Sequence, residues 1–581
     1  MWASCILRGR CVQMPVLAVA TFIHVSSVSF ANRPSPRPYT NSIGPQDLHY
    51  ILDLATDGER PRFHVDLYFQ GNADGASKLR LPNGWDNQNQ LYNAIRDLRA
   101  TSAETTLADT AQPHVKTITY PANQVVRVQY DVIQDWPGSA VRRGLFNRVI
   151  LQKEYFYALG TALWVLPDWD ATRSVNVQLQ WKNLPGEWML SNSYDANERS
   201  QTFQTTLEAF RKGVYLAGDF RVHILSVRGK PVQIVTRGEW RFPDAEFHSL
   251  VQKLIEAERS FWNDDDFARY LVVLLPTDDP PGGSGEARTD ALALYYSKDV
   301  TDTSGMKLKL AHEMFHAWNA SRLGRRDDDN SLYWFSEGFT DHYAALLLWR
   351  ANLISHSEYI ERADAILRRY YSSKCRNYPY QRLQAERGRT SEAEQQMYAR
   401  GNVLALYWDA SIRSATRGKA TLDNVMRELF RAARVEKLSL SNDSIDRAAR
   451  RHVKEGVRRD IERYIELGET IPIREDLLGR QAKAFVIEIG SSFDPGFDID
   501  ATFARRVFTG VREKGPAYDA GLRNGQKLID GGLIFDDWTT MAQFTIEDSG
   551  KRKVVKYYPA AGDEKVRVPQ YRLKAPAERK D

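Results

Sequence analysis

The sequence predicts a multidomain α+β chain: an N-terminal antiparallel β domain, a mostly helical middle and a C-terminal return to short strands. Three observations carry this expectation. The chain has 581 residues, room for three or four domains of about 150 residues. Early segments alternate apolar and polar residues, as half-buried strands do. From Met306 to about Gly468 that period of two gives way to helical periodicity. Hydrophobic residues make up 43% and charged residues 26%, ordinary for globular protein, which argues against wholesale disorder and against a many-span membrane protein. A net charge of +5 spread over the whole chain is too slight to imply a nucleic-acid partner.

Residues 1–31 read as a signal peptide. Arg8 and Arg10 precede an apolar stretch from Pro15 to Ile23, and small residues at Ser29 and Ala31 fit cleavage after Ala31. A transmembrane span needs about 20 apolar residues. This run is shorter and is interrupted by His24, Ser26 and Ser27, and no later segment reaches spanning length. Cleavage removes Cys5 and Cys11, leaving Cys375 without an intrachain partner. A secreted chain without disulfides fits a bacterial periplasm.

A Pro-rich lead-in, Asn32 to Pro38, opens a first domain over 32–218. There Phe63–Tyr68, Val125–Tyr130 and Val175–Trp181 alternate as strands, and no nucleophile, ligand cluster or Gly-rich loop is evident. A second domain over 219–480 opens on an amphipathic helix, Phe247 to Phe261, and a buried strand, Tyr270 to Leu275. A turn rich in Gly and Pro follows at Pro280–Gly285, and then the helices. Polar loops are expected near Arg325–Asn330 and Asn377–Ser391. A third domain over 484–575 is marked by Gly515-Pro516-Ala517-Tyr518-Asp519-Ala520-Gly521-Leu522.

His312-Glu313-Met314-Phe315-His316 is the strongest local signal. Residues four apart share one face of a helix, so both imidazoles can reach one metal ion. Glu313 is turned about a quarter of a circle away, placed to accept a proton from water without ligating the metal. Leu308, Leu310, Met314, Phe315 and Trp318 supply an apolar face, and no Gly or Pro interrupts it. A packed helix with two satisfied histidines is the plainer reading of the pentapeptide alone.

A catalytic zinc site takes three protein ligands and keeps one position open. Trp334–Asp341 offers Glu337 as the third, beside an apolar helical stretch from Tyr343 to Trp349. Asp341 lies one turn further on, where it can take the free ring N–H of a ligand histidine, His312, or simply face solvent. The set implies one Zn2+ per chain, although such ligands also accept other transition metals.

His312–Asn319, reading His-Glu-Met-Phe-His-Ala-Trp-Asn, together with Trp334–Asp341 resembles the glycyl aminopeptidase family of thermolysin-like (gluzincin) zinc metallopeptidases. The resemblance implies a β-rich N-terminal domain, a mostly helical thermolysin-like catalytic domain and a C-terminal PDZ domain. It also implies peptide substrates that lose small N-terminal residues, Gly or Ala. Metal ligation by His312, His316 and Glu337, with Asn319 and Asp341 supporting them, goes with it. Tyr398-Ala399-Arg400-Gly401 is similar to the family's Tyr-x-Lys-Gly segment, which implies that the Tyr398 hydroxyl stabilises the oxyanion of the tetrahedral intermediate.

Gly282-Gly283-Ser284-Gly285-Glu286-Ala287-Arg288 resembles the family's Gly-Gly-Leu-Glu-His stretch. By that resemblance Gly283 and Glu286 bind substrate, the glutamate through its α-ammonium; Gly285 stands where Leu is usual and Ala287 where His is usual. Gly515 to Gly525 resembles the PDZ turn-helix segment and Ala504 to Val511 the strand before it, with a peptide strand as the expected ligand. Two other functions fit the same residues: a secreted zinc endopeptidase, or a PDZ-bearing peptide-binding protein with a vestigial metal site.

Overall fold

A computed structural model describes residues 43–56, 58, 60–85, 88–194, 197–279, 282–325, 330–387, 389–479, 481–533 and 537–574. The leader expected at 1–31 lies outside the described residues. No helix among the described residues is long and apolar enough to cross a membrane.

The first part is built on a six-stranded sheet in the order Ser200–Thr206, Ser174–Lys182, Asp47–Ala55, Arg62–Gln70, Val125–Val132, Ile95–Ala100. Alternation decides which side chains go in: Arg62–Gln70 buries Phe63, Val65, Leu67 and Phe69 and turns His64, Asp66 and Tyr68 outward. The sheet is mixed rather than purely antiparallel, because Asp47–Ala55 runs parallel to Ser174–Lys182. Alternation fixes the buried face of a strand but not its neighbour's direction, and a long connection can deliver either. Two four-stranded sheets complete this part, one of them ordered Met189–Asn192, Val214–Gly218, Tyr155–Leu159, Ile150–Leu151.

Next comes a five-stranded sheet of β1 (Arg221–Val227), β2 (Lys230–Thr236), β3 (Tyr270–Thr277), β4 (Gly283–Arg288) and β5 (Ala291–Ser297), ordered β1-β2-β3-β5-β4. Central β3 is apolar on both faces. Leu271, Val273 and Leu275 pack on the four-stranded sheet that contains Tyr155–Leu159, while Val272 and Leu274 join the core of the helices. The stretch expected as a turn is in part the edge strand β4, antiparallel to β5. Its glycines hid it, since Gly is depleted in strands. They are needed for close approach: a Cβ on Gly285 would lie 2.8 Å from Glu313 Cγ and 2.8 Å from Leu294 Cδ2.

The helices that matter for the site are α1 (Asp244–Trp262), α2 (Lys307–Phe315), α3 (Tyr333–Arg350), α4 (His356–Ser372) and α5 (Ser391–Ala415). Ser355 and Glu358 close a reciprocal capping box at the start of α4. Two interior glycines let α3 and α5 touch: a Cβ on Gly338 would lie 2.5 Å from Gly401 Cα, and one on Gly401 would strike the Trp334 carbonyl.

At the C-terminal end β6 (Ala482–Phe493) and β7 (Ala560–Leu573) form an antiparallel ribbon. Its Ala482, Ile489, Val568 and Tyr571 belong to the core of the helices. The residues between the two strands form a separate core around Phe508, Leu522 and Phe544, with a three-stranded sheet of Lys527–Gly532, Ala542–Asp548 and Lys551–Tyr557. The strand expected at Ala504–Val511 is instead the end of a helix, Ile499–Arg505, followed by one bridge from Val507 to Lys527. Asp498 caps that helix by accepting from the Ala501 N–H at 2.9 Å, and Arg506 ends it in the left-handed region at φ 57°.

Candidate metal centre and active-site cleft

α2 and α3 bring His312, His316 and Glu337 together, as the spacing predicts. Their ligand atoms all lie within 4.8 Å of one another. His312 Nε2 is 3.1 Å from His316 Nε2, and Glu337 Oε2 is 3.3 Å and 3.4 Å from the two. Two atoms each about 2.1 Å from a tetrahedral ion stand about 3.4 Å apart, so the donor set fits a zinc ion.

The outward nitrogens are held from behind. His312 Nδ1 meets Asp341 Oδ1 at 2.7 Å, and His316 Nδ1 meets the Asn319 carbonyl oxygen at 3.2 Å. Each contact favours a proton on Nδ1 and leaves Nε2 as the ligand atom. The Asn319 side chain has a different part: it donates to the carbonyls of Phe335 and Ser336 and to Thr340 Oγ1 at 2.9 Å. It thereby ties the π-helical turn Ala317–Arg322, which follows α2, to α3.

Charge at the site calls for a cation. Burial disfavours a charged His312, but Asp341, Glu337 and Glu313 outweigh it and raise the ring to about 10. Burial likewise pushes the Glu337 carboxyl up, and the two imidazoles more than reverse this, holding it well below the usual carboxylate range. A proton or a divalent ion answers the same demand.

Glu313 and Tyr398 lie beside the triad, in the wall of a cleft of about 810 Å³. Lys309, one turn before Glu313, places Nζ 3.5 Å from its carboxylate. The Tyr398 ring is 6.2 Å from the His312 ring, and its hydroxyl is 3.1 Å from that of Tyr333. Burial, with Glu337 nearby, pushes the Tyr398 phenol well above its ordinary range, so it stays a donor. Arg400, two residues on, turns away and donates to the Arg376 and Tyr378 carbonyls at 2.8 Å each.

Edge strand β4 supplies a further wall. Ser284, Gly285 and Glu286 line the cleft; Gly283 is not among its lining residues and sits against the Tyr296 ring. Glu286 is not a free carboxylate. Trp85 Nε1 donates to its Oε1, and the buried Arg288 guanidinium pairs with the same oxygen while lying 4.3 Å over the Trp85 ring. Burial raises the Glu286 pKa, with Arg288 acting against it.

Four residues here escaped the sequence reading. Lys309 and Tyr333 stand one helical turn before Glu313 and Glu337, and Arg288 shares a strand face with Glu286, so local periodicity could have found them. Trp85 is 201 residues from Glu286 and left no local signal.

Residues 306–411 match the family model of the M61 glycyl aminopeptidases. No curated protein matches the chain. Among solved structures, an aminopeptidase N family protein from Idiomarina loihiensis is similar in fold over 91% of this chain and 98% of its own, at 16% identity and a TM-score of 0.67. An M1 zinc metallopeptidase from Deinococcus radiodurans aligns over 73% of this chain and 94% of its own at 13% identity, with a TM-score of 0.44. The matched segment carries His312, Glu313, His316, Glu337 and Tyr398, and it is similar to the M61 glycyl aminopeptidases.

Proposed function

We propose that this chain is a zinc-dependent aminopeptidase that removes small N-terminal residues, glycine or alanine, from peptides. The observation that carries the reading is the cluster of three donor atoms 3.1–3.4 Å apart beside the cleft. His312, His316 and Glu337 would hold the metal. The chemistry a zinc ion supplies in such a site is Lewis-acid polarisation of the scissile carbonyl and acidification of water.

Glu313 takes the proton from the attacking water and delivers it to the leaving amine. The Tyr398 hydroxyl donates to the developing oxyanion, and Tyr333 holds that hydroxyl in place. Asp341 keeps His312 in the tautomer that presents Nε2. Glu286 receives the substrate α-ammonium, and the outer edge of β4 offers backbone groups to an extended peptide. The preference for glycine or alanine rests on the family match.

Replacing Glu313 tests the mechanism. Glu313→Ala is expected to keep its metal by elemental analysis and to lose turnover by about 10²–10⁴-fold, the usual worth of a general base. Turnover within tenfold of the parent rejects the assignment.

One observation favours a second reading, a zinc endopeptidase. Arg288 already neutralises Glu286, which weakens it as an ammonium anchor. The same peptide with a free and with an acetylated N-terminus separates the two. An aminopeptidase cleaves only the free form, whereas equal cleavage of both assigns the endopeptidase.

The domain limits 32–218, 219–480 and 484–575 and export through residues 1–31 belong to the same proposal. So does a PDZ module at the C-terminal end. It is supported by the short helix Pro516–Asp519 and the three-stranded sheet that share one small core.

A further inference from the structure

Asp341, which orients His312, also lines a second cavity. This space of about 300 Å³ lies among α2, α3, α4 and α5, with Thr540 of the C-terminal unit in its wall. It is at the lower end of the range for small-molecule sites, about 300–1,000 Å³. Leu308, Ala345, Ile366 and Leu406 make most of the wall apolar.

Six polar side chains in the wall have unused capacity: Arg369 leaves its Nε without a partner while its Nη2 bonds Thr540, the Tyr359 hydroxyl bonds no described residue, and four others bear on the ligand. Arg362 makes no hydrogen bond or ion pair with a described residue. Glu358 and Glu361 of its own helix act on it only at a distance, and Glu358 is engaged in the cap of α4. His342 is 4% exposed, and its Nε2 has no partner. Burial lowers that ring to about 4, so it is neutral. The Asn402 amide, 5% exposed, bonds no described side chain or backbone group. Asp341 uses Oδ1 for His312 and makes no second hydrogen bond through Oδ2.

Buried polar groups are normally satisfied, so the open valences of buried His342 and Asn402, beside those of half-buried Arg362 and Asp341, define the ligand this cavity would accept. Arg362 calls for an anion and Asp341 for a cation. His342 and Asn402 take neutral hydrogen bonds, and the remaining wall takes a short apolar chain. A simple carboxylic acid would set its charge against Asp341, and a simple amine would leave Arg362 unanswered.

We propose that this cavity binds a free α-amino acid, with its carboxylate on Arg362 and its ammonium group on Asp341. Because Asp341 also holds His312, occupancy is felt at the metal centre. That consequence rests on the aminopeptidase reading, in which free amino acids are the product; binding itself does not.

The test is calorimetric titration of the zinc-loaded full chain with glycine, alanine and leucine, and with N-acetylalanine and alaninamide as single-charge probes. At least one free amino acid is expected to bind, with both probes about tenfold weaker or more. Arg362→Met is expected to weaken binding by about tenfold or more and to leave turnover without added amino acid unchanged. Glu286→Gln, in the substrate cleft, is expected to leave binding intact. Ala345→Phe, which fills the cavity, gives an independent variant with the same expected loss.

Absence of binding by any free amino acid overturns the proposal. So does equal binding of either probe, an unchanged Kd in both cavity variants, or loss of binding in Glu286→Gln instead. Failure of the peptidase reading shows separately, as absent turnover with the binding arm still legible.

Discussion

At the residue scale the Tyr398 hydroxyl, the oxyanion donor of the proposed mechanism, is held by a second hydroxyl. The Tyr398 O–H can turn about its C–O bond, and the 3.1 Å contact with the Tyr333 hydroxyl restricts that turn. Tyr398→Phe removes the donor itself and is expected to lower kcat by about 10²–10³-fold. Tyr333→Phe removes only the positioning bond, worth about 1 kcal/mol, and is expected to lower kcat by about fivefold with KM little changed. Steady-state kinetics on one aminoacyl substrate checks both; equal losses would make Tyr333 a donor in its own right. The candidate ligands and Asp341 were legible as two helical pairs, His312 with His316 and Glu337 with Asp341, because a helix places residues four apart side by side. The surroundings of Glu286 were not, since Trp85 comes from a distant part of the chain and nothing local marks it.

Elements place these residues, and glycines decide how closely the elements meet. A glycine inside a helix costs about 1 kcal/mol relative to alanine, so Gly338 and Gly401 look unfavourable in isolation. They sit where α3, which carries Glu337, crosses α5, which carries Tyr398. Gly401→Ala should therefore reverse the usual helix preference. Its Cβ meets the Trp334 carbonyl, backbone that cannot swing aside, and overpacking of this kind costs about 1–3 kcal/mol. Thermal unfolding should show the loss, and zinc affinity should fall with it as α3 is pushed back. A variant as stable as the parent would mean that the crossing has slack. The same glycine logic explains what the sequence concealed at β4: composition reads as a turn, and only the neighbouring Glu313 and Tyr296 show why side chains are missing there. The apolar run of β3, by contrast, was plain from sequence because it is buried on both faces.

At the scale of the whole molecule, the C-terminal unit is docked on α4 by contacts that sequence could not reveal. Tyr571 of β7 donates its N–H to Asp364 Oδ1 at 2.8 Å. Arg368 lies 3.2 Å over the Tyr558 ring, and Arg369 reaches Thr540 at 2.9 Å. Apolar residues of the ribbon, Ala482, Ile489, Val568 and Tyr571, share the core of the helices. The docking should depend on pH. Burial pushes the Asp364 carboxyl up to about 7, against the opposing pull of the Tyr571 N–H and of Arg368 and Arg572. An unfolded aspartate loses its proton near pH 4, about the reference value. Between about pH 4 and 7 the folded form therefore binds more protons than the unfolded one, and stability falls as pH rises. The contribution is fully present below about pH 4 and is lost as pH passes through about 7. Asp364→Asn keeps a carbonyl acceptor for the Tyr571 N–H and has no proton to lose. Hydrogen exchange of the β7 amides, compared between parent and variant at each pH so that intrinsic rates cancel, reads the difference. The variant is expected to gain protection relative to the parent between pH 5 and 8, while amides of α2 keep a constant ratio. A ratio for β7 that does not move with pH would remove Asp364 as the titrating group at this junction.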